Sequence, residues 1–175
     1  MDNGEFVIKL NDCHWIDNDE SNTDDLCLHG KVTICIENST VITSYDCTVS
    51  VAALYLMRTI DSDHITNNNS DKQLLPCCGH FMIADEKLQN VEIPGCPNGK
   101  DWSVKHSDCH VAISFAAEKE TVIPLEVYKD TIFKFANKVE QFYKKSVPRS
   151  IPADEIEHNG YTAFWNEWKW RRNQR

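Results

Sequence analysis

A single α+β domain with a mostly antiparallel sheet is what this sequence predicts, from three observations. The longest stretch of helical periodicity, Leu125 to Ser146, repeats Tyr128, Ile132, Phe135, Val139 and Phe142 at steps of four and three, while Lys129, Asp130, Lys134, Lys138, Gln141 and Lys145 take the opposite face. Ahead of it, short alternating β-branched runs are separated by turn-forming residues. Behind it, Tyr161 to Arg172 sets Phe164, Trp165 and Trp168 at helical spacing. A chain of 175 residues can bury one core of ordinary size, so the expectation is one domain over 1–175.

Taken in order, Glu5 to Leu10 alternates with Phe6, Ile8 and Leu10 on one side and reads as the first strand. Asp12 to Asp25 is rich in Asp, Asn and Ser and reads as a loop. Its Asp17, Asp19, Ser21 and Asp25 resemble the start of a calcium loop, but Asn22 stands at the glycine position and Leu28 at the final glutamate position, which argues against a bound cation. Lys31 to Glu37, with Val32, Ile34 and Ile36 inward, and Val41 to Tyr45 form a hairpin turning at Asn38-Ser39-Thr40. Thr48 or Ser50 can cap a helix reaching Ile60 that is apolar on most sides and so belongs inside. Asp61 to Lys72, with three consecutive asparagines, reads as a loop.

From Leu74 short strands return: Leu74 to Ala84, Leu88 to Ile93, Trp102 to His106, His110 to Ala116 and Thr121 to Leu125, with turns at Pro97-Asn98-Gly99 and Glu118-Lys119-Glu120. The expected total is six to eight strands feeding the long helix. Glu126 near its start and Lys144 and Lys145 near its end complement the helix dipole, and Pro148 stops it. Asp154 to Glu157 reads as an acidic link to a C-terminal helix at 161–172.

The formal charge is −9, with 20 acids against 8 Lys and Arg in residues 1–120 and 7 against 10 in 121–175. An acidic body repels phosphate backbones and attracts basic partners, so direct nucleic-acid binding is not expected and a basic protein partner is. No apolar run approaches the roughly 18–20 residues that span a bilayer, and no export signal is evident. A cytoplasmic, membrane-free protein with its eight cysteines reduced is the expectation. In that compartment the sequons at Asn38 and Asn68 have no role.

Two groups of residues suggest chemistry. Cys77-x-x-His80 and His106-x-x-Cys109 mirror each other on segments expected to pair, with Cys96 between them. Thiolates and imidazoles brought together by a hairpin would suit tetrahedral zinc. Alternatively, Cys78 or Cys109 near His80, His106, His110 and Asp108 could form a thiol nucleophile with its base, although no strand-to-helix elbow or glycine-rich oxyanion segment accompanies either. Gly95-x-x-x-Gly99-Lys100-Asp101 is one residue short of a phosphate loop and carries an acid where the hydroxyl belongs. The other group is the tail, where Trp165, Trp168 and Trp170 precede Arg171, Arg172 and Arg175. Trp170 lies off the shared face of Trp165 and Trp168 and is expected to be partly exposed.

The run Phe135-Ala136, Val139-Glu140 and Phe142-Tyr143, then Ser146-x-Pro148-Arg149, then Tyr161 and Phe164-Trp165-x-Glu167-Trp168, resembles the small acidic immunity proteins of bacterial polymorphic-toxin and contact-dependent growth inhibition systems. That resemblance implies a non-enzymatic cytoplasmic protein that neutralises a cognate toxin, for example a nuclease, by occluding it, without a cofactor. A toxin with a cationic cleft would be met by carboxylates, and Asp17, Asp19, Glu20, Asp24 and Asp25, with Trp170, are the expected contacts. The rival expectation is a zinc- or thiol-dependent enzyme, or a structural-zinc module, built on Cys77, His80, Cys96, His106 and Cys109.

Overall fold

Alternation of buried and exposed side chains sets the first sheet. In a computed structural model that describes residues 5–66, 72–115 and 120–173, β1 (Phe6–His14) pairs antiparallel with β2 (His29–Ile36), and β2 with β3 (Ser39–Cys47). Val32, Ile34 and Ile36 face the core as expected. The strand β1 runs four residues past Leu10 because a bulge absorbs Asn11: Leu10 faces Val32, yet Asp12 faces Lys31. The β2–β3 turn is Glu37-Asn38, both with positive φ, one residue earlier than expected, since Ser39 already pairs with Ile36.

The helix α1 (Val49–Arg58) has every residue from Val49 to Met57 buried, as its all-round apolar sequence requires. Thr48 occupies its N-cap without a side-chain cap bond, and its amide donates instead to Pro76 O at 3.0 Å. The predicted strands over 74–84 and 88–93 shrink to a two-residue pair, β4 (Ile83–Ala84) with β5 (Val91–Glu92). Their apolar residues pack on helices and the core instead of extending a ladder. A meander follows as expected: β6 (Ser103–Ser107), β7 (His110–Ser114) and β8 (Thr121–Pro124). Asn67 to Asn69 in the expected loop at 61–72, Ala116, Glu118 and Lys119 near the expected turn, and Arg175 lie outside the described residues.

Strand β8 runs directly into α2 (Leu125–Lys145), whose bounds match the periodicity within a residue. Tyr128, Ile132, Phe135 and Val139 are fully buried, against β1 and α1. The last helix, α3 (Glu155–Arg172), begins six residues before the expected start at Tyr161. Asp154 caps it by accepting from the Ile156 and Glu157 amides, so the acidic link is the first turn, where carboxylates complement the dipole. Phe164 and Trp168 are buried, Trp165 is half-buried, and Trp170 is 46% exposed, as its offset predicted.

The architecture is therefore α+β, with three helices and eight strands among the described residues, divided into antiparallel sheets of three, two and three strands where one sheet was expected. A hydrophobic cluster continuous from Phe6 to Trp168 joins them. No helix among the described residues is long and apolar enough to cross a membrane.

Candidate functional site

Between Lys9 and Lys31 the chain holds six carboxylates and no Lys or Arg. Most of this acidic stretch leaves β1, makes a single 3₁₀ turn at Ile16–Asn18 and returns to β2. Asp17 and Asn18 both adopt left-handed backbone, a conformation that Asp and Asn tolerate better than most side chains. The loop is braced from across the chain. The Arg149 guanidinium lies 4.0 Å over the Trp15 ring and donates to the carbonyls of Asn22 and Glu20, while the Ser150 amide donates to Thr23 O at 2.8 Å.

The five predicted carboxylates divide into two roles. Asp19 accepts from the amide and hydroxyl of Ser21, at 2.9 and 2.6 Å, and these bonds hold its carboxyl below the usual range. Asp25 accepts from the Ile16 amide at 2.7 Å and the Cys27 amide at 3.2 Å. Burial would raise its carboxyl, but neighbouring His29 and those amides outweigh the burial and hold it low. These two organise the loop. Asp17, Glu20 and Asp24 are exposed and form no ion pair with any described residue.

Beside the loop lies a cleft of about 310 Å³, lined by Ile16, Asp24, Asp25, Cys27, His80, Phe81, Met82 and Glu157 among others. Its rim mixes charge with exposed apolar surface, Ile16 at 41% and Phe81 at 50%. His80 and His29 have ring centroids 5.2 Å apart. Burial, together with His29, lowers the basicity of His80, while Asp25 opposes that. Cys27 is no nucleophile here: burial and Asp25 push its thiol up to about 12.

The five residues expected to gather around zinc do not meet. Cys77 and Cys96 are together, and the third member is Cys78: the three sulfurs lie within 4.8 Å of one another, the one such group of metal-type ligands among the described residues. His80 lies apart from them, against His29, and the intervening Gly79 takes φ +138°. His106 is held at the end of β6 by Asp63, with its amide and Nδ1 within 2.8 and 2.9 Å of that carboxylate. Cys109 is exposed at the β6–β7 turn, 3.3 Å from His110 Nδ1. All eight cysteines are free thiols.

Two roles went unread in the sequence. Cys78 was expected as a thiol nucleophile, not as the third member beside Cys77 and Cys96, although it is the neighbour of Cys77. Arg149 had no local signal, because its partners are 127 and 129 residues away. No family model matches the chain, and neither a curated protein nor a solved structure matches it.

Proposed function

We propose that this chain is a non-catalytic binding protein of the immunity type, which acts in the cytoplasm and neutralises a cognate toxin domain by covering a cationic surface. The observation that supports the reading best is the cleft beside the acidic loop. Asp24, Asp25 and Glu157 can meet the charged head of a lysine or arginine, while Ile16, Phe81 and Met82 receive its alkyl stem. Asp17, Glu20 and Asp24, with no ion pair among the described residues, extend the negative potential outward and would steer a basic partner into place. Trp170, 46% exposed near the end of α3, is a second expected contact.

The test is growth rescue. The C-terminal domain of the adjacent reading frame is expressed alone and then together with this chain, and complex formation is followed by co-purification. Toxicity relieved by a stable complex is the expected result. The triple variant Asp17→Asn/Glu20→Gln/Asp24→Asn should lower the association rate by about tenfold or more at low salt and leave thermal stability unchanged. Absence of both rescue and complex would remove the immunity reading.

A further inference from the structure

Two segments that carry cysteines are fastened to each other independently of any sulfur chemistry. Leu75 and Lys100 exchange both backbone hydrogen bonds, at 2.9 and 3.0 Å, in an isolated antiparallel bridge. Cys77 and Cys78 follow Leu75 by two and three residues, and Cys96 precedes Lys100 by four. The approach is close enough that a Cβ on Gly99 would meet Leu75 O at 2.7 Å and Gln73 Oε1 at 2.8 Å. Further anchors come from outside the bridge: the Thr48 amide donates to Pro76 O, and the Tyr45 hydroxyl donates to Asn98 O at 2.9 Å. The three sulfurs converge on a point set by the backbone.

The Cys96 amide donates to Cys78 Sγ at 3.4 Å, and the Asn98 amide faces Cys96 Sγ. Lys100, of the backbone bridge, places its ammonium over the Tyr45 ring. All three cysteines are partly exposed, so an ion can reach them from solvent. No carboxylate or imidazole among the described residues joins the group, so the donor set is purely soft.

We propose that Cys77, Cys78 and Cys96 form a binding site for a thiophilic d¹⁰ metal ion, Zn²⁺ or Cu⁺, with three protein thiolates and a further position open to an exogenous donor. Soft thiolate sets select these ions over hard cations such as Mg²⁺ and Ca²⁺. Three thiolates satisfy a trigonal Cu⁺, whereas Zn²⁺ would complete a tetrahedron with water or a partner's side chain. The ion would crosslink the segment ahead of β4 to the segment ahead of β6, which the Leu75–Lys100 bridge and the Leu74–Asp101 hydrogen bond already hold together. This site is independent of the toxin-binding reading and uses none of its residues.

The full reduced chain is titrated anaerobically with Co²⁺ as a spectroscopic probe for Zn²⁺, and separately with Cu⁺ held by a competing chelator. One equivalent of Co²⁺ giving thiolate charge-transfer absorption and intense tetrahedral d–d bands, displaced by one equivalent of Zn²⁺, assigns the zinc form. Stoichiometric Cu⁺ uptake without the cobalt bands assigns the copper form. Cys96→Ser and Cys78→Ser should abolish the signal, and Cys109→Ser should leave it unchanged. Thiol alkylation read by mass spectrometry makes the same test on the unaltered chain: added metal should protect Cys77, Cys78 and Cys96 and leave Cys35 and Cys109 reactive. Binding that survives Cys96→Ser, absence of uptake of all three ions, or alkylation of the three cysteines undiminished by metal would overturn the proposal.

Discussion

Arg58, at the end of α1, grips Glu167, in the middle of α3, through two contacts of 2.8 Å across 109 residues of sequence. The Glu167 carboxylate also accepts from Arg171 Nε at 2.8 Å and from the Val91 amide at 3.1 Å, and the residue is 1% exposed. One buried charge thus joins α1, α3 and β5. Glu167→Ala leaves the partly buried Arg58 without its anion, and Arg171 with only Asp61 at 3.5 Å, and should cost about 3–5 kcal/mol. The measurement is a lower urea midpoint with an unchanged denaturant slope.

The same carboxylate predicts an acid limb to stability. Burial alone would raise Glu167, but Arg58, Arg171 and the Val91 amide hold it below the usual glutamate range. With the folded value depressed, the unfolded chain takes up the proton first. Its contribution is complete above the ordinary carboxylate value of about 4.3 and drains away as pH falls through the folded value. Asp25, also depressed, acts in the same direction. Urea midpoints measured between about pH 6 and pH 3 should fall with acidification, and less steeply in Glu167→Gln.

Arg149 is the brace of the acidic loop, and its planar fork explains why lysine cannot replace it. It stacks on Trp15 and also bonds two loop carbonyls and that of Val147. Arg149→Ala should lose about 2 kcal/mol of stability, and Arg149→Lys should recover only part of it. Amide hydrogen exchange should accelerate first at residues 16–25, ahead of any change in β2 or α2.

Gly160 tests steric fit against helix propensity. It lies inside α3, where alanine is ordinarily better by about 1 kcal/mol. A Cβ there would penetrate the Met82 carbonyl, which passes directly over the helix. Gly160→Ala should therefore destabilise, by about 1–3 kcal/mol, because the clash is with backbone and cannot be relieved by a rotamer change. A melting temperature unchanged or raised would show that the 82 segment yields freely.

Local periodicity made α2 and the buried faces of β1 and β2 readable, since apolar spacing there reports one side of one element. It failed where long-range contact decides. The first turn of α3 has no apolar stripe, so its helicity rests on the Asp154 cap and on the Gly160–Met82 approach. The segment from Leu74 to Ile93 looked like strand because it is apolar, yet its side chains pack on α3 and the core, and beyond the isolated Leu75 bridge only four residues pair. The cysteine–histidine spacing misled for a related reason. It assumed that Cys77 to His80 lies on a strand paired with the His106 segment, whereas residues 77–80 belong to no strand and Gly79 takes a positive φ. The carboxylate-rich loop was evident from composition, but which acids organise it and which remain outward depended on amide positions that composition does not encode.

The complete burial of α1 bears on how the chain is made. A helix with no polar face cannot be shielded by its own sequence, and its covers, α2 and α3, come much later. Roughly 100 residues separate the end of α1 from the start of α3, so synthesis at about 5–20 residues per second leaves that surface unfinished for about 5–20 seconds. Ribosome-bound chains truncated just before Leu125 should accordingly crosslink to a ribosome-associated chaperone through residues 49–57, and completed, released chains should not. The interval between translating α1 and translating α3 is thus the period in which this protein depends on the cell's holding machinery.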